Sequence, residues 1–185
     1  PEEVELIEGH KFEEIRTLFW RNSDLNFNNP NSLIKSLEER PQMEWLRKVH
    51  ECEDERALKY FIKDEKNNLE FNERTLKLLW ECCQIPDFVK KTYGNHYEVI
   101  RNVFKFLNSE KGLISEDYMR LQLMKLDKLE GNVDSLSNRI ANVRTWSYVS
   151  NKNNWVENQN YWIEKTKHLE DRLSDRLHEE LTKTF

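Results

Sequence analysis

Residues 162–181 read WIEKTKHLEDRLSDRLHEEL, and this stretch decides the fold. Its least polar positions recur every three or four residues, the spacing that places side chains on one face of an α-helix. The stripe consists of Trp162, Thr166, Leu169, Leu173, Leu177 and Leu181. The other positions carry charges of both signs, and ion pairs are predicted from Arg172 to Asp175 and from Arg176 to Glu180. The pattern predicts a long helix with one buried face and one solvated face.

A second helical stripe lies just before this one, between residues 133 and 149. It consists of Leu136, Ile140, Val143 and Ser147. Asn132 is a suitable N-cap for this helix, and the polar residues 151–154 (NKNN) are numerous enough to turn one helix back on the other. The two stripes therefore predict a C-terminal helical hairpin.

The composition favours a folded, all-α protein. Only 37% of the 185 residues are hydrophobic, but six Trp, six Tyr and nine Phe supply enough large apolar surface for a core. Four glycines and four prolines provide few signals for β-hairpin turns, and no window shows the strict alternation of successive strands. We expect a helical bundle.

The first part of the chain gives a mixed pattern. Residues 1–8 favour a short helix, and residues 11–28 favour a partly extended connector. Asn29 and Pro30 form a cap and first-turn pair that opens a further helix. A longer helix is predicted from about residue 42 to residue 64, with a weak point at its central acidic residues.

Further helices are predicted between residues 72 and 131. Asn72 caps a helix that ends before Pro86, and Ser115 caps another that ends at Gly131. Between them, apolar residues from Tyr97 to Leu107 define a third. We divide the chain into residues 1–71, a connector and helical segment, and residues 72–185, a C-terminal helical bundle.

Charge and cysteine usage limit the classes of protein. A net charge of −5 argues against a free-standing electrostatic binder of nucleic acid, although a local basic patch remains compatible with it. Cys52, Cys82 and Cys83 fit reduced thiols in a cytoplasm better than a disulfide framework. No apolar run approaches the roughly 20 residues that a membrane span needs, so no membrane association is expected.

We find no motif for catalysis, cofactor binding or metal binding. None of Gly9, Gly94, Gly112 and Gly131 stands in a phosphate-binding P-loop, so the chain is not expected to bind ATP. No CxxC, HExxH or Glu-x-x-His repeat is present. His168 and His178 lie among charged residues of the last helix, where a solvated ion-pairing role is favoured over acid–base catalysis.

The tryptophans have two interpretations. Trp80, Trp146 and Trp162 fall on apolar stripes and favour core packing. Trp155 lies beside the polar break, where no stripe requires it, and it is the candidate for stacking on an unpaired base. Arg144 and Lys152 are the candidates for contacts with phosphates. Core packing is the alternative interpretation of Trp155 as well.

Several unusual strings in this chain resemble one protein family. The runs are LWECCQIPDF (79–88), IANVRTWSYV (140–149) and EDRLSD (170–175), with Trp155 and Trp162 between the last two. Near the start, Phe12 is followed by WRN (20–22) and DLNF (24–27). Together they resemble the C-terminal region of α-proteobacterial superfamily 2 (DExH-type) helicases, relatives of the mitochondrial degradosome RNA helicase.

The resemblance implies an accessory module of an ATP-dependent RNA helicase in a bacterial cytoplasm. Such a module would pack on the two motor lobes of the same protein and form part of the path of a nucleic-acid strand. Because the motor motifs are missing here, ATP and Mg²⁺ are expected only in the parent, a hydrolase, and whether this chain is itself an enzyme stays open. We expect the chain, which begins at Pro1 without a methionine, to be a piece of a longer protein. The alternative is a protein-interaction module that docks a partner such as an exoribonuclease on its amphipathic helices.

Overall fold

The computed structural model describes residues 18–64, 71–89 and 93–183. Within these ranges there are seven helices and a two-stranded parallel sheet, and 64% of the described residues are helical. The all-α prediction is therefore confirmed. The chain divides into two compact units, with the boundary between Leu76 and Lys77.

The first unit alternates short strands with helices. Its elements are β1 (Leu18–Trp20), α1 (Pro30–Glu38), β2 (Leu46–Lys48) and α2 (Glu53–Lys63). The strands pair in parallel, with Leu18 opposite Leu46, Phe19 opposite Arg47 and Trp20 opposite Lys48. The core of the unit forms between α1 and α2 from Leu33, Leu37, Ala57, Leu58 and Phe61.

The start of α1 follows its predicted cap. The Asn29 side chain accepts a hydrogen bond from the Ser32 amide at 2.8 Å, and Pro30 occupies the first turn, where no amide hydrogen is needed. The predicted extended connector is confirmed for residues 18–28, which contain β1 and no helix. The predicted helix at residues 1–8 and the connector residues 11–17 lie outside the described residues.

The predicted helix over residues 42–64 is wrong in its first half. Residues 46–48 form β2, and the helix begins only at Glu53. The acidic residues Glu53, Asp54 and Glu55, which interrupt the stripe in the sequence, occupy the first turn of α2, where carboxylates interact favourably with the helix dipole. The weak point in the predicted helix was therefore the start of the true one.

Helix α3 (Glu73–Cys83) crosses the boundary between the units. As predicted, Asn72 caps it, because the Asn72 side chain accepts from the Thr75 amide at 2.9 Å. The helix ends three residues before Pro86, in agreement with the predicted stop.

The second unit contains the end of α3 and four more helices, α4 (Tyr93–Leu107), α5 (Glu116–Leu126), α6 (Val133–Asn151) and α7 (Gln159–Lys183). The caps at Ser115 and Asn132 are confirmed, since their side chains accept from the amides of Tyr118 and Ser135. Helix α5 ends at Leu126, five residues before Gly131, which has a φ of +126° just ahead of the cap of α6.

Helices α6 and α7 pack along each other and confirm the C-terminal hairpin. Its buried stripes hold Leu136, Ile140, Val143, Trp146 and Val149 on α6, and Trp162, Thr166, Leu169 and Leu173 on α7. The predicted stripe on α7 is wrong at its far end, because Leu177 is half-buried and Leu181 is 37% exposed.

One of the two predicted ion pairs on α7 is confirmed. Arg176 contacts Glu180 at 2.5 Å, but Arg172 pairs with Asp127, just beyond α5, at 3.2 Å instead of with Asp175. All three cysteines are free thiols. Among the described residues, no helix has the length and apolar character needed to cross a membrane.

Candidate nucleic-acid interface

The sequence-predicted site residues lie where α6 ends and the chain turns toward α7. Arg144 is inside α6, Lys152 is its C-cap, and Trp155 follows three residues later. Tyr148, between the two cations, was missed by the sequence reasoning. It stands four residues after Arg144 and four before Lys152, so helical spacing puts the three side chains in line. We call Arg144, Tyr148 and Lys152 the cation row.

The ammonium group of Lys152 lies between two aromatic rings. Its Nζ atom is 5.5 Å from the centroid of the Tyr148 ring and 5.5 Å from that of Trp155. These distances fall within the range of cation–π attraction. Lys152 is half-buried, and the two rings hold its charge in a defined position at the end of the helix.

Trp155 is in the interior. Only 4% of its surface is exposed, and its backbone carbonyl accepts a hydrogen bond from the Ile114 amide at 2.8 Å. An indole buried to this degree has no open face for a base, so the interpretation of Trp155 as a stacking platform is corrected in favour of core packing. The other three tryptophans for which core packing was predicted, Trp80, Trp146 and Trp162, are also buried.

The turn that places Trp155 inside has a recognisable local cause. Asn154 and Asn158 both adopt left-handed backbone conformations, with φ values of 65° and 57°. Asparagine tolerates this region better than most residues. The chain therefore reverses direction tightly on both sides of Trp155 and Val156, and Val156 forms an isolated parallel bridge with Ile114.

Arg144 is partly neutralised. Its Nε atom donates to Glu170 Oε1 of α7 at 2.9 Å, and the arginine side chain keeps 54% of its surface exposed. An exposed ion pair of this kind contributes little to stability, about 0 to 1 kcal/mol. A phosphate group could therefore compete with Glu170 for the guanidinium at small cost.

The nearby thiol of Cys82 is not suited to chemistry. Burial raises its pKa well above the usual range, the charge of Glu81 adds to the rise, and the charge of Lys152 opposes it. Since the thiolate is the reactive form, this cysteine is inert at neutral pH.

Two segments of the second unit, residues 79–88 and 140–149, contact each other. The Thr145 hydroxyl of α6 donates to the Pro86 carbonyl at 3.3 Å, and a ring nitrogen of His96 lies 2.9 Å from the Ile85 carbonyl. The run at residues 79–88 is thus held against the run at residues 140–149.

One cluster of potential metal ligands occurs in the described part of the chain. Cys52, Asp54 and Glu55 offer ligand atoms within 4.8 Å of one another. Arg21 already approaches this cluster, with Nη1 2.8 Å and 3.0 Å from the two Asp54 oxygens and 3.7 Å from Glu55 Oε1. Because a guanidinium occupies the approach to these carboxylates, we assign no metal to them.

Comparisons of the chain with protein-family models, with curated proteins and with solved structures find no match.

Proposed function

We propose that this chain is the C-terminal accessory module of an ATP-dependent RNA helicase, packing on the motor lobes and contributing to the path of one RNA strand. The observation that carries the proposal is the cation row at the end of the α6–α7 hairpin. It presents two cations and one half-buried tyrosine, spaced four residues apart, on the last turns of α6 and its C-cap. Phosphate contacts from Arg and Lys supply most of the affinity of sequence-independent RNA binding.

The rigidity of the support favours this role. Lys152 is held between two rings, and α6 is anchored to α7 by buried residues along most of its length. A strand path requires cations at fixed positions, because ordering long side chains on binding costs entropy. Trp155 contributes a buried ring 5.5 Å from the Lys152 ammonium group and is not expected to contact a base.

The test is binding of single-stranded RNA by the chain, measured by fluorescence anisotropy at salt concentrations from about 50 to about 200 mM. Arg144→Ala and Lys152→Ala should each weaken binding and lower the slope of log K against log salt by about one phosphate contact. Lys165→Ala is the matched control, since Lys165 also lies over a tyrosine ring, Tyr161 at 5.8 Å, but outside the cation row. Unchanged binding by both row variants, with circular dichroism showing intact folds, would contradict the proposal.

The alternative function, docking of a protein partner such as an exoribonuclease, is favoured by a different observation. Leu121 and Met124 of α5 are 45% and 64% exposed, and Leu129 just beyond the helix is 40% exposed. Grouped exposed apolar side chains are typical of protein-interaction sites. Partner binding that is insensitive to salt and is lost in the double variant Leu121→Ser/Met124→Ser would favour this alternative over the strand path.

A further inference from the structure

The two-stranded sheet of the first unit leaves large side chains exposed. Phe19 in β1 is 69% exposed, and Trp45, directly before β2, is 53% exposed. Parallel sheets normally have both faces covered, so an open parallel pair that carries exposed aromatic residues is unusual. These rings offer open π-faces, which the buried Trp155 does not.

A basic cavity runs beside the same strands. It has a volume of about 500 Å³ and is lined by Arg40, Pro41 and the continuous segment 46–51. The lining contains three permanent cations, Arg40, Arg47 and Lys48, against one carboxylate, Glu51. The cavity therefore carries a local net charge of +2, from three positive charges and one negative, in a chain whose net charge is −5.

The cations of this cavity are available to a ligand. No ion pair or side-chain hydrogen bond is formed by Arg40, Arg47 or Lys48 within the described residues, whereas Glu51 is engaged by Lys59 at 3.6 Å. Lys48 also acts at longer range on the buried Glu55, where burial raises the pKa of the carboxyl group and the lysine charge opposes part of that rise. Cations that outnumber the carboxylates of a cavity and form no ion pair with them are complementary to a polyanion.

The aromatic rings and the cations are brought together by the strand pairing. Phe19 is the registered partner of Arg47, and the Trp45 carbonyl accepts from the Leu18 amide at 3.1 Å. Phe19 therefore lies on the strand next to the cation-bearing strand, and Trp45 directly precedes the cation-bearing strand. Interleaved aromatic rings and cations are the combination that binds unpaired nucleic acid, because bases stack on the rings while the phosphates meet the cations.

We propose that the first unit carries a single-stranded nucleic-acid site, with phosphates bound along β2 by Arg40, Arg47 and Lys48 and with bases stacked on Phe19 and Trp45. The inference deepens the proposed RNA-handling function and rests on it for the class of ligand, but it concerns residues remote in sequence from the cation row. Because stacking on these rings selects no particular base, the site is expected to accept any sequence.

The test uses the full 185-residue chain and a fluorescein-labelled oligouridylate of roughly 12 nucleotides, a length within the range that single-strand-binding folds cover. Trp45→Ala should weaken binding about 5- to 150-fold, the effect of losing one stacked base, with little change in the salt slope. Arg47→Ala should lower the salt slope by about one. The matched controls are Phe88→Ala, an aromatic residue 44% exposed in the second unit, and Arg120→Ala, an exposed arginine of α5; both should bind like the parent.

Two further measurements test the proposal even if the Trp45→Ala variant does not fold. Trp45→Phe retains a π-face and should bind within a few-fold of the parent, and ultraviolet cross-linking of the unaltered chain should attach RNA to the peptides that contain Phe19 and Trp45. The absence of any RNA affinity near 50 mM salt would overturn the inference. Cross-links confined to the second unit would overturn it as well. So would tighter binding of poly-glutamate than of an oligouridylate of equal charge, because the preferred occupant would then be an acidic polypeptide.

The two proposals fail separately. If Arg47→Ala and Trp45→Ala bind normally while Lys152→Ala binds weakly, the sheet site is wrong and the cation row stands. If Lys152→Ala binds normally while Arg47→Ala and Trp45→Ala bind weakly, the proposal for the cation row is wrong and the proposal for the sheet site stands.

Discussion

Glu55 is the one buried carboxylate in the described part of the chain, with 1% of its surface exposed. Neither of its oxygens has a hydrogen-bond partner, and Arg21 Nη1, at 3.7 Å, is too distant to form a hydrogen bond. Burial raises the pKa of Glu55, while the charges of Lys48 and Arg21 counteract part of the rise. The ion pair therefore compensates only partly for the loss of water around the carboxylate.

The raised pKa of Glu55 predicts a specific dependence of stability on pH. The folded state binds the Glu55 proton more tightly than the unfolded state, so this residue contributes most to stability below its ordinary pKa near 4.5. That contribution is lost as the pH rises through the raised pKa. Glu55→Gln removes the titration and should increase the free energy of unfolding more at pH 8 than at pH 4, as measured by urea denaturation.

The control for this prediction lies two residues away in the same turn. Glu53 is exposed in the first turn of α2, so Glu53→Gln should show no comparable gain at high pH. A stability difference between Glu55→Gln and the parent that is the same at pH 4 and pH 8 would show that Glu55 keeps an ordinary pKa in the folded state.

Single residues could be predicted from sequence where their role is local. The caps at Asn29, Ser115 and Asn132 depend only on the next three residues, and all three are confirmed. Trp155 and Glu55 contact residues that are distant in the sequence, Ile114 through a backbone hydrogen bond and Arg21 through an ion pair. The same holds for the Arg144–Glu170 pair, so the electrostatic state of the candidate site was not predictable from its own segment.

The α6–α7 hairpin is the element on which the second unit depends, and Leu173 tests its packing. Leu173 has no exposed surface. Leu173→Ala should lower the free energy of unfolding by about 2 to 5 kcal/mol, because it removes buried methyl groups and leaves a cavity. Denaturant titration followed by circular dichroism measures the difference.

The same helix supplies the control for Leu173. Leu181 belongs to the same sequence stripe but is 37% exposed, so Leu181→Ala should change stability by no more than about 0.5 kcal/mol. Equal effects at the two positions would mean that the buried part of the stripe extends to the end of α7.

Elements were predictable in proportion to the length of their periodic pattern. The hairpin helices repeat their apolar stripes over many turns, and both were found with the intervening turn in place. Strand β2 spans three residues, Leu46–Lys48, too few to display alternation, and it forms because β1 provides a partner for its backbone groups. A pairing of this kind between distant segments leaves no periodic signal in either one.

The all-α fold class could be predicted from the composition, but the distribution of charge over the surface could not. A net charge of −5 hides the basic cavity beside β2, because Arg40, Arg47 and Lys48 are brought together there by the turn before β2. On the second unit, the sequence named Arg144 and Lys152 only as candidates for phosphate contacts, and the pairing of Arg144 with Glu170 required the hairpin to form. Binding properties of the whole molecule therefore depend on local surfaces that the total charge does not describe.

A consequence for the whole molecule is that the 185-residue chain should neither bind nor hydrolyse ATP. A P-loop requires two glycines with four residues between them, followed by Lys and Ser or Thr, and this sequence has no such arrangement around its four glycines. Equilibrium binding of a fluorescent ATP analogue and phosphate release by the purified chain, with and without Mg²⁺ and RNA, would check this.

In the proposed function ATP turnover belongs to the motor lobes, so a covalent fusion of the chain to such lobes is the positive control. The prediction is wrong if phosphate release stays with the chain through successive purification steps and falls when Lys48 or Lys152 is replaced by alanine. That result would show a catalytic site in this module and would remove the reason for assigning it an accessory role.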